Sequence, residues 1–198
     1  MMQKKTDVVY AIDVEMVRGR QLQPLAGRVV LVRTDPYIEW VKVVDAYVRY
    51  PREEVRDCMT RYSRIEKWQL DTYGVDLQSL VSFLLAILKN QTLVTFSGRY
   101  DFASLGITEQ QLRDVLKKHV ELQDFFKRED GTPYGLGPLV DYFGYSRNNR
   151  KVIIRHNCCD DAVYTLRLYR DYYRDDIPFK ALCYIMTKKE YCAKYGLY

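Results

Sequence analysis

The sequence predicts an α/β fold, a mixed, mostly five-stranded sheet flanked by helices. Three observations carry this. Three strand-patterned segments follow one another over short connections in the first 50 residues. Helix-patterned and strand-patterned segments then alternate. The last strong pattern, CDDAVYTLRLYRDYY (159–173), repeats its apolar residues at helical spacing. A chain of 198 residues that is 47% hydrophobic and 29% charged suits one globular domain with a full core, and it excludes a disordered composition.

Residues 7–13 read as the first strand, RVVLVRT (28–34) as the second and IEWVKVVDAYVRY (38–50) as the third. The short connections around Gln21–Gly27 and Asp35–Pro36 predict an antiparallel meander. DLQSLVSFLLAILKN (76–90) is a helix, apolar at 77, 80, 81, 84, 85 and 88. TLVTF (92–96) is a short apolar strand. Thr108 and Gln111 form a capping-box pattern that opens a helix through about Lys118. HVELQDF (119–125) reads as a strand, and YGLGPLVDYFG (134–144) as a short helix ending at Gly144. Residues 1–176 form the domain. The tail, 177–198, is basic and contains Tyr and Cys; it is either a last element packed on the same domain or a surface for a protein partner.

No apolar run reaches the roughly 20 residues needed to span a bilayer, and MMQKKTDVVY carries no apolar signal core, so neither membrane insertion nor a secretory signal is expected. Five cysteines are an odd number without C-x-x-C spacing, which fits a reduced, intracellular protein. The net charge of +5 is compatible with nucleic acid. SRNNRKVIIRH (146–156) concentrates Arg147, Arg150, Lys151 and Arg155 without an acid; it reads as a solvated loop or as a phosphate-contacting edge.

The chemistry centres on VYAIDVEMVR (9–18). Residues i and i+2 of a strand share a face, so Asp13 and Glu15 aim at one place. Two neighbouring carboxylates repel, and burial raises the penalty on each. A divalent cation relieves both; Mg²⁺ is commonly held by one or two carboxylates with waters completing its shell. The alternative is a strand-end pair facing solvent. Asp101 follows TLVTF and opens a segment with Phe102 and Leu105 on one helical face, where an acid is commonly an N-cap. In RHNCCDDAVYTL, His156 precedes the last helix and Asp161 lies in its first turn; Asp160 beside it belongs to another face. His119 has Asp124 at the same offset, but no amphipathic helix follows, so His119 reads as an ordinary strand-start residue.

In this order the residues resemble the DEDDh branch of the DnaQ-like 3′–5′ exonucleases, over about residues 7–173. That family shows D-x-E on the first strand, a middle Asp at a helix start and H-x4-D at a later helix; here these are Asp13 and Glu15, Asp101, and His156 with Asp161. AIDVEMVR and VVDAYVRYPREEVRDCMTRYSRI are similar to stretches of the RNA exonuclease 4 and interferon-stimulated exonuclease group. The resemblance implies an RNase H-like fold. Asp13, Glu15, Asp101 and Asp161 would hold two Mg²⁺ or Mn²⁺ ions, and His156 would be the general base. The substrate would be single-stranded RNA, or DNA, with a free 3′ end, and the products nucleoside 5′-monophosphates. Glu15, Met16 and Val17 would border the terminal nucleotide. Met59 stands where the group has an Arg that holds that nucleotide, with Arg61 as a substitute two residues on; Arg64 stands in place of a Gly. Phe96 and Tyr100 are candidates for base stacking, and Arg150, Lys151 and Arg155 for backbone contacts. The competing reading is a nuclease-like fold used as a non-catalytic RNA- or protein-binding module.

Overall fold

A computed structural model describes residues 8–51, 53–128, 130–145 and 157–173. The chain runs β1 (Val9–Gly19), β2 (Pro24–Asp35), β3 (Glu39–Arg49), β4 (Val55–Asp57), α1 (Thr60–Ser63), α2 (Lys67–Tyr73), β5 (Val75–Asp76), α3 (Leu77–Leu88), β6 (Thr92–Thr95), α4 (Arg99–Leu105), α5 (Glu109–Val115), β7 (Lys118–Glu121), α6 (Leu122–Phe125), α7 (Leu136–Tyr142) and α8 (Cys158–Leu168). A π-helical turn, Tyr169–Tyr173, follows α8. Among the described residues no helix is long and apolar enough to cross a membrane.

The strands lie in the order β5-β3-β2-β1-β6-β7, with β4 paired to the far end of β1. β1, β2 and β3 form the expected antiparallel meander; β6 runs parallel to β1, and β7 parallel to β6. The expectation of mostly five strands is corrected to seven. Each of the five expected strands has its counterpart among the longer ones, although β1 runs six residues past its expected end and β2 begins four residues earlier. β4 and β5 have three and two residues, too few to show a period. The predicted strand 119–125 is also shortened: β7 ends at Glu121, whose carboxylate accepts the Gln123 N–H (3.0 Å) and turns the chain into α6.

Alternation along β1 sorts its side chains onto two faces. Val9 and Ala11 pack with Val30, Val94, Leu139, Ala162 and Leu166, on the side of α7 and α8. Ile12 and Val14 pack with Leu31, Leu84, Leu88, Phe102 and Leu112, on the side of α3, α4 and α5. Leu84 is wholly buried, which contributes about 1.5–3 kcal/mol. Asp76 caps α3 by accepting the Ser79 N–H (2.8 Å), and the Thr108–Gln111 capping box opens α5. Gly144 adopts φ 69° just beyond α7, the left-handed stop that glycine supplies most readily.

The placement of α8 matters most for the site. Arg167 grips Glu39 with two bonds (3.0 and 3.1 Å), and Arg170 adds a third (2.6 Å). These bonds hold the Glu39 carboxyl below its ordinary range, led by the one from Arg167. They tie the start of β3 to the end of α8. At its other end, the buried Cys158 thiol donates to the Asp13 carbonyl oxygen (2.8 Å). The helix is thereby fixed against β1 at the position of the first carboxylate.

Candidate metal centre

β1 pairs with β6 only from Val9 to Ala11, and beyond Ala11 the two strands part. β1 continues along β2 as far as Arg18, with a bulge at Glu15/Met16 that skips Gly27. A side chain at Gly27 would strike Ile65 and Val17, at 2.5 and 2.8 Å, so the bulge needs a glycine there. The acids gather where β1 leaves β6.

Asp13 and Glu15 lie on the β1 face that packs against α8. One carboxylate oxygen each from Asp13, Glu15 and Asp161 lie within 4.8 Å of one another. The N-cap of α8 is Asn157, which accepts the Cys159 N–H (3.2 Å) and donates to Asp160 (3.0 Å). Asp160 is thus occupied locally, while Asp161, one residue on, faces β1.

Asp101 arrives from the opposite face, on α4. It is not the cap: Gly98 holds that position, and Asp101 sits in the first turn, buried to 6% exposure. Its carboxylate takes a hydrogen bond from the backbone of Val14, a strand position already beyond the β6 pairing.

Burial pushes the Asp13 carboxyl well above its ordinary value, and the charges of Asp161, Asp101 and Glu15 push it further. Burial, then Glu121 and Glu15, push Asp101 up to about 8. Such crowding is unfavourable unless a cation shares the space. The donor set is all oxygen, which suits a hard divalent ion. The acidic cluster can therefore hold a metal ion.

The remaining expected residues are spread more widely. Met16 is half-buried on the α3 side, and Val17 is fully buried with Val55, Ile65 and Leu70, so it supports β1 from within the core. Phe96 packs against the α8-side core, as core residues do. Tyr100 is half-exposed and carries Arg99 over its ring at 4.7 Å. Arg61 is exposed on α1, beside Tyr62. His156, Arg147, Arg150, Lys151, Arg155 and the tail 177–198 lie outside the described residues.

Two neighbours of the cluster lie outside the expected set of site residues. Arg64 is close enough for its charge to act on Asp160, and its φ of 58° explains why a glycine suits that position. The sequence showed it only as a departure from glycine. Glu121 accepts the N–H groups of Ser97 and Gly98 (both 2.8 Å) and the Thr95 hydroxyl (3.0 Å). It thereby shapes the turn from β6 into α4 and so positions Asp101. An acid inside HVELQDF carries no sequence signal for that role.

No protein-family model matches the chain, and neither does any curated protein. Solved structures do. The Neurospora crassa Pan2 catalytic unit (protease and nuclease domain) superposes with a TM-score of 0.68 at 21% identity, over 88% of this chain and 29% of that one. The Saccharomyces cerevisiae Pan2 pseudoubiquitin hydrolase–RNA exonuclease module with AAGGAA RNA gives 0.65 at 20% identity, over 100% of this chain and 33% of that one. Escherichia coli Exonuclease I with a dA16 oligonucleotide gives 0.62 at 12% identity, over 85% and 42%. The chain has the RNase H-like fold. It spans between about three and four tenths of the length of these structures.

Proposed function

We propose that the protein is a metal-dependent 3′–5′ exonuclease of the DEDDh type, resembling the RNA exonuclease 4 and interferon-stimulated exonuclease group. Its substrate is single-stranded nucleic acid, RNA in preference to DNA. The observation that carries this is the convergence of Asp13, Glu15 and Asp161 within 4.8 Å, with Asp101 entering from the opposite face of the sheet. The likeness to Pan2 modules, one of them bound to AAGGAA RNA, supports the choice of substrate.

Asp13, Glu15, Asp101 and Asp161 would hold two Mg²⁺ or Mn²⁺ ions. When bound, these ions supply Lewis-acid activation of water and stabilise charge on the leaving oxygen. His156 accepts the proton of the attacking water, the part that an imidazole plays in general base catalysis at neutral pH. Water adds to phosphorus, the P–O3′ bond breaks, and the 3′ oxygen takes up a proton. Met16 and the backbone beyond Glu15 border the terminal nucleotide. Arg64 and Arg61 offer cations to its phosphate, and Tyr100 a face to a base.

The test is a time course on 5′-labelled single-stranded RNA, and the matching DNA, in Mg²⁺ or Mn²⁺, beside the Asp13→Asn variant. A ladder shortening from the 3′ end and absent in the variant is expected. RNA binding without any ladder in either metal would leave the non-catalytic module standing.

A further inference from the structure

Behind Asp101 lies a second cleft, of about 670 Å³, lined by residues of α4, α5, β7 and α6. Of its lining residues, Glu121 bears on the carboxylate cluster, through the turn that positions Asp101. Five of its lining residues are cationic and three are acidic. Two of the acids are matched locally: Glu109 by Arg113 (3.2 Å) and Asp124 by Lys127 (2.9 Å). The third, Glu121, receives the N–H groups of the β6–α4 turn. Arg99, Lys117 and Lys118 remain, all exposed and none in an ion pair among the described residues. Arg99 lies against the Tyr100 ring and Lys118 against that of Tyr173; both contacts leave the charge available.

The cleft adjoins the carboxylate centre. Arg99 and Phe102 line it from the same helix that carries Asp101, and Glu121 acts on Asp101 through its charge. His119 presents a ring in the cleft, edge-on to Phe102 at 5.5 Å, with its Nε2 2.8 Å from the Thr95 hydroxyl. Desolvation holds this imidazole below its ordinary value, so it is neutral at pH 7 and offers a face rather than a charge.

We infer that this cleft binds the sugar–phosphate backbone of the substrate strand upstream of its 3′ end, with Arg99, Lys117 and Lys118 on phosphates and His119 against a base. The inference rests on the exonuclease reading for the identity of the strand. Unpaired cations beside an exposed ring are the pairing that single-stranded nucleic acid requires, phosphates every nucleotide with bases between them.

The experiment measures binding of a labelled trinucleotide and a 12-mer RNA in EDTA, which stops hydrolysis, for the full chain and for the Lys117→Glu/Lys118→Glu variant. Both lysines are exposed, and an unchanged unfolding midpoint establishes that the variant is folded. The 12-mer is expected to weaken about tenfold and the trinucleotide not at all. The slope of log affinity against log salt for the 12-mer should fall by about 1.4, at about 0.7 per phosphate lost. Unchanged affinity and slope for the 12-mer would overturn the inference while leaving trimming in Mg²⁺ intact. Polyglutamate that competes as well as RNA at equal charge would also overturn it, making the cleft a groove for acidic protein. Wild-type protein that trims nothing, yet shows the lysine-dependent 12-mer binding, would sink the exonuclease reading alone and uphold the cleft.

Discussion

Replacing Asp13 with Asn is expected to stabilise the metal-free protein at alkaline pH and to abolish its response to magnesium. Asp13 shares a 4.8 Å neighbourhood with the oxygens of Glu15 and Asp161. Two unit charges that far apart repel by about 3.5 kcal/mol at an effective dielectric of about 20, and by about 0.9 kcal/mol in bulk water. Burial adds to this, and the Asp13 carboxyl rises well above its ordinary value. The folded protein thus keeps a proton that the unfolded chain has released. Below the unfolded value of about 3.8 both states are protonated and nothing is lost; as pH climbs toward the folded value, the metal-free protein loses stability. Asn does not ionise and escapes this loss. Wild type and variant should therefore match near pH 4, and at pH 8.5 the variant should lead by about 0.9–3.5 kcal/mol, the span of that repulsion. For a chain of this size that is roughly 2–14 °C in melting temperature. Excess magnesium reverses the order, because at a thousand times its Kd a ligand adds about 4.1 kcal/mol to a protein that binds it and nothing to one that does not. Thermal unfolding followed by circular dichroism, across this pH range with EDTA or magnesium, reads both effects. A variant less stable than wild type at pH 8.5 in EDTA, or one that magnesium raises as much as wild type, would refute the electrostatic argument.

Arg64→Gly should raise stability by about 0.5–1 kcal/mol, since Arg64 holds a left-handed φ of 58°, while lowering turnover by removing a cation beside the first turn of α8; chemical denaturation and steady-state kinetics read the two effects separately. Glu121→Gln should destabilise the protein by about 1–3 kcal/mol, because two turn N–H groups then meet an amide, and should lower the pH at which Asp101 ionises, moving the acid limb of the activity profile downward. His156→Ala should slow hydrolysis by about 10²–10⁴-fold while the magnesium-dependent melting shift stays intact.

The strands are legible in the sequence wherever an apolar, β-branched run is long enough. RVVLVRT and TLVTF read correctly because their β-branched residues pack on both faces of the sheet. The first strand is expected over 7–13, and in the structure Val14 and Val17 carry it on to Gly19, paired with β2. HVELQDF was read as one strand because nothing local marks Glu121 as a cap. The site divided the same way. The i, i+2 spacing of Asp13 and Glu15 is a property of one strand and could be read directly. Asp101 looked like an N-cap, since its bond to Val14 depends on where β1 and β6 diverge, a tertiary fact. Arg64, Glu121 and the lysine cleft depend on the packing of distant segments and left no periodic trace.

The central claim is that Asp13, Glu15, Asp101 and Asp161 form one centre that releases nucleotides from a 3′ end. Single-stranded RNA labelled at its 3′-terminal nucleotide tests this most directly, with wild-type protein beside Asp161→Asn in Mg²⁺. The account predicts that the label appears as a nucleoside 5′-monophosphate from the earliest time points, and that the variant releases none. Label appearing first in longer fragments, or released equally by the variant, would contradict it.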